Sequence, residues 1–87
     1  MLLQHIVEAR SVGGHRLHLR FDDGVEGDVD LRPVIGEFTN LFAPLVDPAY
    51  VARVQVNDDF GTVYWPNGVD LDPVVLYCAV KGIAVPT

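Results

Sequence analysis

The chain has 87 residues, of which 49% are hydrophobic and 21% charged, and six basic against twelve acidic residues give a net charge of −6. This composition excludes a disordered chain, and the length accommodates one domain, over residues 1–87, with a modest core. The negative charge makes direct nucleic-acid binding unfavourable, because phosphates repel an acidic chain, and it favours a basic protein as partner.

The cysteine content and the chain ends bear on the compartment. Cys78 is the only cysteine, so an internal disulfide is excluded and a reducing compartment fits. The first residues lack the basic region and the long apolar stretch of a signal peptide. The longest apolar run, residues 74–80, is far shorter than the ~20 residues that span a bilayer. We therefore expect a cytoplasmic protein that does not enter the membrane.

Three strands are predicted in the first third of the chain. Residues 2–10 and 15–21 have strand-like composition and are separated by a glycine-containing turn at 11–14. Apolar and polar residues alternate in 15–21 and again in 25–31. Each of these two strands therefore has one apolar face and one charged face.

The loop after Phe21 decides how the second and third strands pair. A two-residue turn at Asp23-Gly24 would place apolar residues opposite charged ones. A three-residue loop with Gly24 in the left-handed region pairs Phe21 with Val25, and apolar residues then face each other. We predict this register. The further facing pairs are Leu17 with Val29, Arg20 with Glu26, His18 with Asp28 and Arg16 with Asp30.

Residues 33–51 are predicted to form short helical turns rather than one long helix. Their apolar residues have helical spacing, but Pro44 lies within the segment and interrupts it. Asp47 is expected to cap a further turn that begins at Pro48.

A second hairpin is predicted after these turns. Residues 51–57 and 62–65 read as strands around a four-residue loop at 58–61. In this register Val56 faces Val63, and Gln55 faces Tyr64 on the outside.

The last predicted element is a helix. Asp72 is placed to be its N-cap, Pro73 its first residue and Gly82 its stop. Residues 74–80 offer no polar face, although a helix on the surface of a monomer usually has one. Either the sheet wraps around this helix or a second copy covers it, and the second alternative predicts a homodimer through residues 73–81.

Together these elements predict the class of fold. The expected architecture is α+β, with a small, mainly antiparallel, curved sheet of about five strands and a C-terminal helix. Short helical turns are expected between the third and fourth strands.

The aspartates raise the question of a metal site. They occur at 22–23, at 58–59, and at 70 and 72, where carboxylates would suit calcium or magnesium. These positions are turns and a helix cap, however, in which Asp accepts backbone hydrogen bonds. None has the ligand spacing of a calcium loop. We therefore predict no metal site.

The other residues typical of catalytic sites are also better explained by structure. His15 and His18 are three apart on a predicted strand, so they face opposite sides of it. Cys78 lies among apolar residues, which disfavour a reactive thiolate. We predict no enzymatic activity, no catalytic residue and no cofactor.

Residues 64–73 are the most distinctive segment. Trp65 ends a strand and is expected to fill the core, while Asn67-Gly68 supplies a turn that needs a positive φ. The functional alternative is a shallow recognition surface near the start of the last helix. Its candidate residues are Tyr64, Trp65, Asn67 and Asp70.

Five motifs occur in order between residues 15 and 80. The first three are Phe21-Asp22-Asp23-Gly24, Gly27-Asp28-Val29-Asp30-Leu31 and Gly36-Glu37-Phe38. The fourth is the run 65–73, with the pattern Trp-Pro-Asn-Gly-x-Asp-x-Asp-Pro, and the fifth is Leu76-Tyr77. In these motifs the chain resembles a widespread family of small bacterial proteins known as a domain of unknown function. The resemblance implies no activity, cofactor or catalytic residue. Members resemble accessory halves of two-gene modules, which implies a toxin–antitoxin-like or other protein–protein role.

Three functional hypotheses follow. The first is a small acidic interaction module, the partner of another small and basic protein encoded nearby. The second is a subunit of a regulatory DNA-binding complex, for which the six basic residues would have to cluster. The third, an undiscovered metal-dependent enzyme, has the least support.

Overall fold

The computed structural model describes residues 5–82. The strands form an antiparallel three-stranded sheet with the order β1-β2-β3 and an antiparallel pair β4-β5. In chain order the elements are β1 (Ile6–Gly13), β2 (Arg16–Phe21), β3 (Glu26–Asp30), α1 (Leu31–Ile35), a 3₁₀ helix (Asn40–Val46), α2 (Pro48–Val51), β4 (Gln55–Asn57), β5 (Thr62–Tyr64) and α3 (Pro73–Lys81). The predicted α+β fold of antiparallel strands, central helical turns and a C-terminal helix is confirmed, with the five strands divided between two sheets.

The pairing of β2 with β3 confirms the predicted three-residue loop. Leu17 faces Val29 and His18 faces Asp28, as the alternation of apolar residues requires. The Phe21 N–H donates to Val25 O at 2.8 Å, and Gly24 has a φ of 89°. Only glycine adopts this backbone conformation without a steric penalty, so Gly24 determines the register.

The charged side chains on this sheet do not all bind the residue directly opposite. His18 Nδ1 lies 2.8 Å from Asp28 Oδ1, as predicted. Arg20 instead reaches across to Glu8 of β1 at 3.1 Å, and Arg16 lies 3.5 Å from Asp28, its diagonal neighbour. Long arginine side chains have several carboxylates within reach on a sheet, so backbone register alone does not determine the ion pairs.

Two predicted strand ends are wrong. β1 continues to Gly13, so the turn lies at 14–15 rather than at 11–14, and residues 2–4 of the predicted strand lie outside the described part. Val51 belongs to α2, because Asp47 caps a helix that starts with Pro48. The second hairpin therefore begins later than predicted. Its register is nevertheless confirmed, with Gln55 opposite Tyr64 and Val56 opposite Val63.

Each α-helix begins with an aspartate cap. Asp30, Asp47 and Asp72 are the three N-caps, and each accepts a hydrogen bond from the second helical N–H. A side-chain acceptor here satisfies an N–H group that has no partner within the helix. Gly82 ends α3 with a φ of 70°, as predicted.

Helix α3 packs across the three-stranded sheet at Gly27. A Cβ on Gly27 would lie 3.1 Å from Val80 Cγ1, so the glycine permits this close approach. Leu76 and Cys78 are buried and most of the remaining helix is half-buried, so the chain itself covers much of its apolar surface. A homodimer through residues 73–81 stays a prediction.

The core lies between the sheets and the helices. Its largest fully buried side chains are Trp65, Phe21, Ile6, Leu17, Leu19, Leu31, Leu45, Leu76, Val51 and Val63. None of the helices within residues 5–82 combines the length and apolar character that a membrane span requires.

Candidate interaction surface

The Trp-Pro-Asn-Gly run forms a loop with the same hydrogen bonds as the loop between β2 and β3. The Trp65 N–H donates to Val69 O at 3.0 Å, and the Gly68 N–H donates to Trp65 O at 2.8 Å. Gly68 has a φ of 89°, the same value as Gly24. The predicted turn with positive φ is confirmed, and the chain reverses direction here as it does in a three-residue hairpin.

Trp65 lies beneath this loop and not on the surface. Its side chain is 0% exposed, and its Nε1 donates to Val51 O at 3.1 Å. A buried indole that has a hydrogen-bond partner stabilises the core and offers nothing to another molecule. The predicted core position of Trp65 is confirmed, and Trp65 does not belong to an exposed recognition surface.

Asn67 is exposed, but its side chain is occupied by contacts within the chain. Its Nδ2 donates to Leu41 O at 2.9 Å, and its Oδ1 accepts from the Val69 N–H at 3.2 Å. Its own N–H donates to the Tyr50 hydroxyl at 3.0 Å. Asn67 thus holds the loop against the 3₁₀ helix and α2.

Two other residues of the predicted recognition surface, Tyr64 and Asp70, lie next to each other. They face each other across an antiparallel bridge, and Gln55 faces Tyr64 from the other side. Directly opposed residues of an antiparallel pair point to the same face, so these three side chains form one row. The Tyr64 hydroxyl donates to Gln55 Oε1 at 2.9 Å, and Asp70 is exposed.

The hairpin continues beyond this row into the loop 58–61. Asp58, Asp59 and Phe60 are exposed there, and Phe60 is 74% accessible, the most exposed large apolar residue of the described chain. We call the row and the loop together the hairpin surface. It consists of Gln55, Asp58, Asp59, Phe60, Tyr64 and Asp70.

Hydrogen bonds hold the loop 58–61 in one conformation. The Gly61 N–H donates to Asn57 O at 2.7 Å. The Asn57 side chain accepts from the N–H groups of Asp59 at 2.9 Å and Phe60 at 3.3 Å. The Ile6 N–H donates to Gly61 O at 2.8 Å and joins the loop to β1. The backbone of Phe60 is therefore fixed on both sides.

Gly61 is required for this arrangement. Its φ is 65°, and a Cβ at this position would lie 2.5 Å from Cγ of the His5 ring. Any side chain here would have both the strained backbone conformation and a collision with His5.

The charges are distributed unevenly over the molecule. On the outer face of the three-stranded sheet, four acidic residues are matched by three arginines and by Arg32, which binds Asp30. The net charge of −6 thus comes from the eight other acidic residues against Arg53 and Lys81. The residues of the sheet face are Glu8, Arg10, Arg16, Arg20, Glu26, Asp28 and Asp30.

Three of those eight acidic residues lie on the hairpin surface. None of the ion pairs found within residues 5–82 involves Asp58, Asp59 or Asp70. The hairpin surface therefore combines an exposed aromatic ring with carboxylates that have no cationic partner in the described chain.

Two carboxylates elsewhere serve the fold. The Tyr77 hydroxyl donates to Asp23 Oδ2 at 2.7 Å, which lowers the pKa of Asp23 and raises the pKa of Tyr77. Hydrogen bonds from the side chain and the N–H of Arg32 lower the pKa of Asp30 to about 2. Asp23 thus connects the β2–β3 turn to α3, and Asp30 caps the start of α1.

Residues typical of metal or thiol chemistry are dispersed or buried. Between residues 5 and 82, no three His, Cys, Asp or Glu side chains come close enough together to hold a metal ion. Cys78 is 4% exposed and lies in the packed side of α3.

The exposure of Phe60, which the sequence analysis does not single out, has a signal in the sequence. A phenylalanine between two aspartates and a glycine in a four-residue hairpin loop has no strand or helix face through which to reach the core. The sequence also indicates that Trp65 and Tyr64 cannot share one surface, because they are adjacent in an extended segment where side chains alternate between faces.

Comparison with known proteins identifies a family but no activity. No match was found among curated proteins or among solved structures. The family model described as "Protein of unknown function (DUF2442)" matches residues 6–82, which is nearly the whole chain. On this match, the chain belongs to the DUF2442 family.

Proposed function

We propose that this domain is an acidic protein–protein interaction module that binds a basic protein through the hairpin surface. One observation carries the proposal: Asp58 and Asp59 in the hairpin loop and Asp70 opposite Tyr64 are exposed and form no ion pair within residues 5–82, while the charges of the sheet face are balanced. Lysine or arginine residues of a partner would form ion pairs with these carboxylates. Such complementarity accelerates encounter and rejects acidic partners.

The family resemblance supports a narrower form of this proposal. The partner would be another small, basic protein encoded beside this one, in a toxin–antitoxin-like module. The acidic domain would then neutralise it by covering its basic surface.

The test measures binding between the purified protein and the product of the neighbouring gene by titration calorimetry at low and moderate salt. We expect the variant D58N/D59N/D70N to bind at least about tenfold more weakly. The matched control E8Q/E26Q/E37Q makes the same change in net charge away from the hairpin surface and should have about a twofold effect or less. Equal losses in the two variants, or no binding at micromolar concentration and low salt, would refute the proposal.

A subunit of a DNA-binding complex is the second candidate. Arg10, Arg16 and Arg20 share the outer sheet face, which favours it. Carboxylates of Glu8 and Asp28 lie within 3.1 Å and 3.5 Å of two of these arginines, which weakens their attraction for phosphates. A gel shift with the protein's own promoter, alone and with the neighbouring protein, tests this function; absence of any shift removes it.

A further inference from the structure

Phe60 has the most exposed large apolar side chain within residues 5–82. Three large apolar residues are more than half exposed within residues 5–82: Leu41 at 62%, Val46 at 63% and Phe60 at 74%. Aromatic side chains supply much of the binding energy at the centre of protein interfaces. An exposed ring is therefore the first residue to consider as an anchor.

The backbone at Phe60 is held by hydrogen bonds within the chain. Asn57 accepts the N–H of Phe60, and the next residue, Gly61, is held by hydrogen bonds at both its N–H and its carbonyl oxygen. His5 packs against Gly61 and leaves no room for the loop to shift in that direction. A residue presented on a fixed backbone loses little conformational freedom on binding, so more of the contact energy appears as affinity.

The charge around Phe60 specifies the kind of partner. Asp58 and Asp59 precede it in the loop, so a second copy of this chain would bring like charges together. The exposed Leu41 lies in a different setting, since residues 38–46 contain no charged side chain. A ligand for Phe60 must therefore combine an apolar contact with flanking positive charges. A ligand for Leu41 would need only the apolar contact.

We propose that Phe60 is the anchor of the hairpin surface and binds an amphipathic basic segment of another protein. Apolar side chains of that segment pack on the Phe60 ring, and its lysine or arginine residues meet Asp58 and Asp59. This inference rests on the proposed function and adds the residue and the chemistry by which the partner is recognised.

Two synthetic peptides of equal length and positive charge test the proposal, one an amphipathic Leu/Lys sequence and the other a Ser/Lys sequence. Each is titrated into the full chain at low salt by calorimetry, with amide chemical shifts recorded in parallel. We expect the Leu/Lys peptide to bind at least about tenfold more tightly. Its binding should shift the amides of residues 57–61.

The variant F60S should abolish the advantage of the Leu/Lys peptide, whereas L41S should keep it. Both side chains are solvent-exposed, so urea unfolding of both variants should match that of the original chain. If F60S retains the advantage, or if L41S removes it equally, Phe60 is not the anchor.

Further outcomes separate this inference from the proposed function. Should both peptides bind equally and D58N/D59N/D70N weaken both, the acidic module stands and the role of Phe60 is refuted. Absence of binding by either peptide also overturns the inference, while the titration with the neighbouring protein decides the proposed function independently.

Discussion

Asp23 and Asn67 occupy the same position in two loops of the same construction. Each follows a fully buried aromatic residue by two positions, precedes a glycine with a φ of 89°, and accepts the N–H of a valine two residues further on. Their second partners differ, since Asp23 accepts from the Tyr77 hydroxyl and Asn67 donates to Leu41 O. These second partners explain why position 67 has an amide and position 23 a carboxylate, because only the amide has an N–H to donate to a carbonyl oxygen.

The first prediction concerns this choice. N67D should lower the free energy of unfolding by about 1 kcal/mol, because a carboxylate faces Leu41 O where a hydrogen bond was made. D23N should cost less, since the amide still accepts from the Val25 N–H and the Tyr77 hydroxyl can accept from the new N–H₂. Urea unfolding of both variants measures the difference. Equal losses would show that the second partner does not matter.

The second prediction concerns Gly61. G61A and G24A both force a side chain into the left-handed region, which costs about 1–2 kcal/mol. At Gly24 nothing lies within 4 Å of the added Cβ, whereas at Gly61 it collides with the His5 ring. G61A should therefore unfold with a free energy at least about 1 kcal/mol lower than G24A. Urea unfolding of the two variants checks this; indistinguishable curves would mean that His5 does not pack as described.

The third prediction separates neighbouring residues of one strand segment. W65F replaces a fully buried indole with a smaller ring and removes one of two hydrogen bonds to Val51 O, which keeps that from the Val54 N–H. It should destabilise the fold by about 2–3 kcal/mol, mainly through the lost packing. Y64F removes a hydrogen bond at the half-exposed outer face and should cost less than about 0.5 kcal/mol. Thermal and urea unfolding measure both. A comparable loss in Y64F would contradict the assignment of Trp65 to the core and Tyr64 to the surface.

The fourth prediction is a dependence on pH. The pKa of Asp30 is lowered from 3.8 to about 2 by Arg32, so the folded chain binds fewer protons than the unfolded chain between these values. The stabilisation is therefore complete above the unfolded value and is lost as the pH falls through the folded value of about 2. D30N keeps a capping oxygen but loses the charge. The difference in unfolding free energy between the original chain and D30N should be largest above about pH 5, decrease steadily towards pH 2 and vanish only below about pH 2.

Urea unfolding at several pH values measures this difference. A difference that stays constant from neutral pH to pH 2 would show that the carboxylate charge of Asp30 contributes nothing to folding.

The parts of the fold that sequence predicts are those determined by local chemistry. The alternation around Phe21 and Val25 and the glycine at position 24 left one register for β2 and β3, and the structure has it. The same holds for α3, where Asp72, Pro73 and Gly82 set both ends. Each of these features depends on residues within a few positions of one another.

The parts that sequence missed depend on contacts between distant segments. Arg20 had two acidic neighbours available, and only the position of β1 decides for Glu8 over Glu26. The packing of His5 against Gly61 joins residues 56 positions apart, and no local sequence pattern predicts it. The sequence predicts one recognition surface from residues that are close together along the chain, whereas the pleat of the strand places Tyr64 outside and Trp65 inside.

The backbone hydrogen bond from Ile6 to Gly61 O joins the two sheets at one end of β1. If the second hairpin detaches as a cooperative unit ahead of global unfolding, the Ile6 amide loses its protection together with those of β4 and β5, while the interior of β2 stays closed. Native-state hydrogen exchange would then divide this small chain into two foldons, with Ile6 reporting the opening of the weaker one.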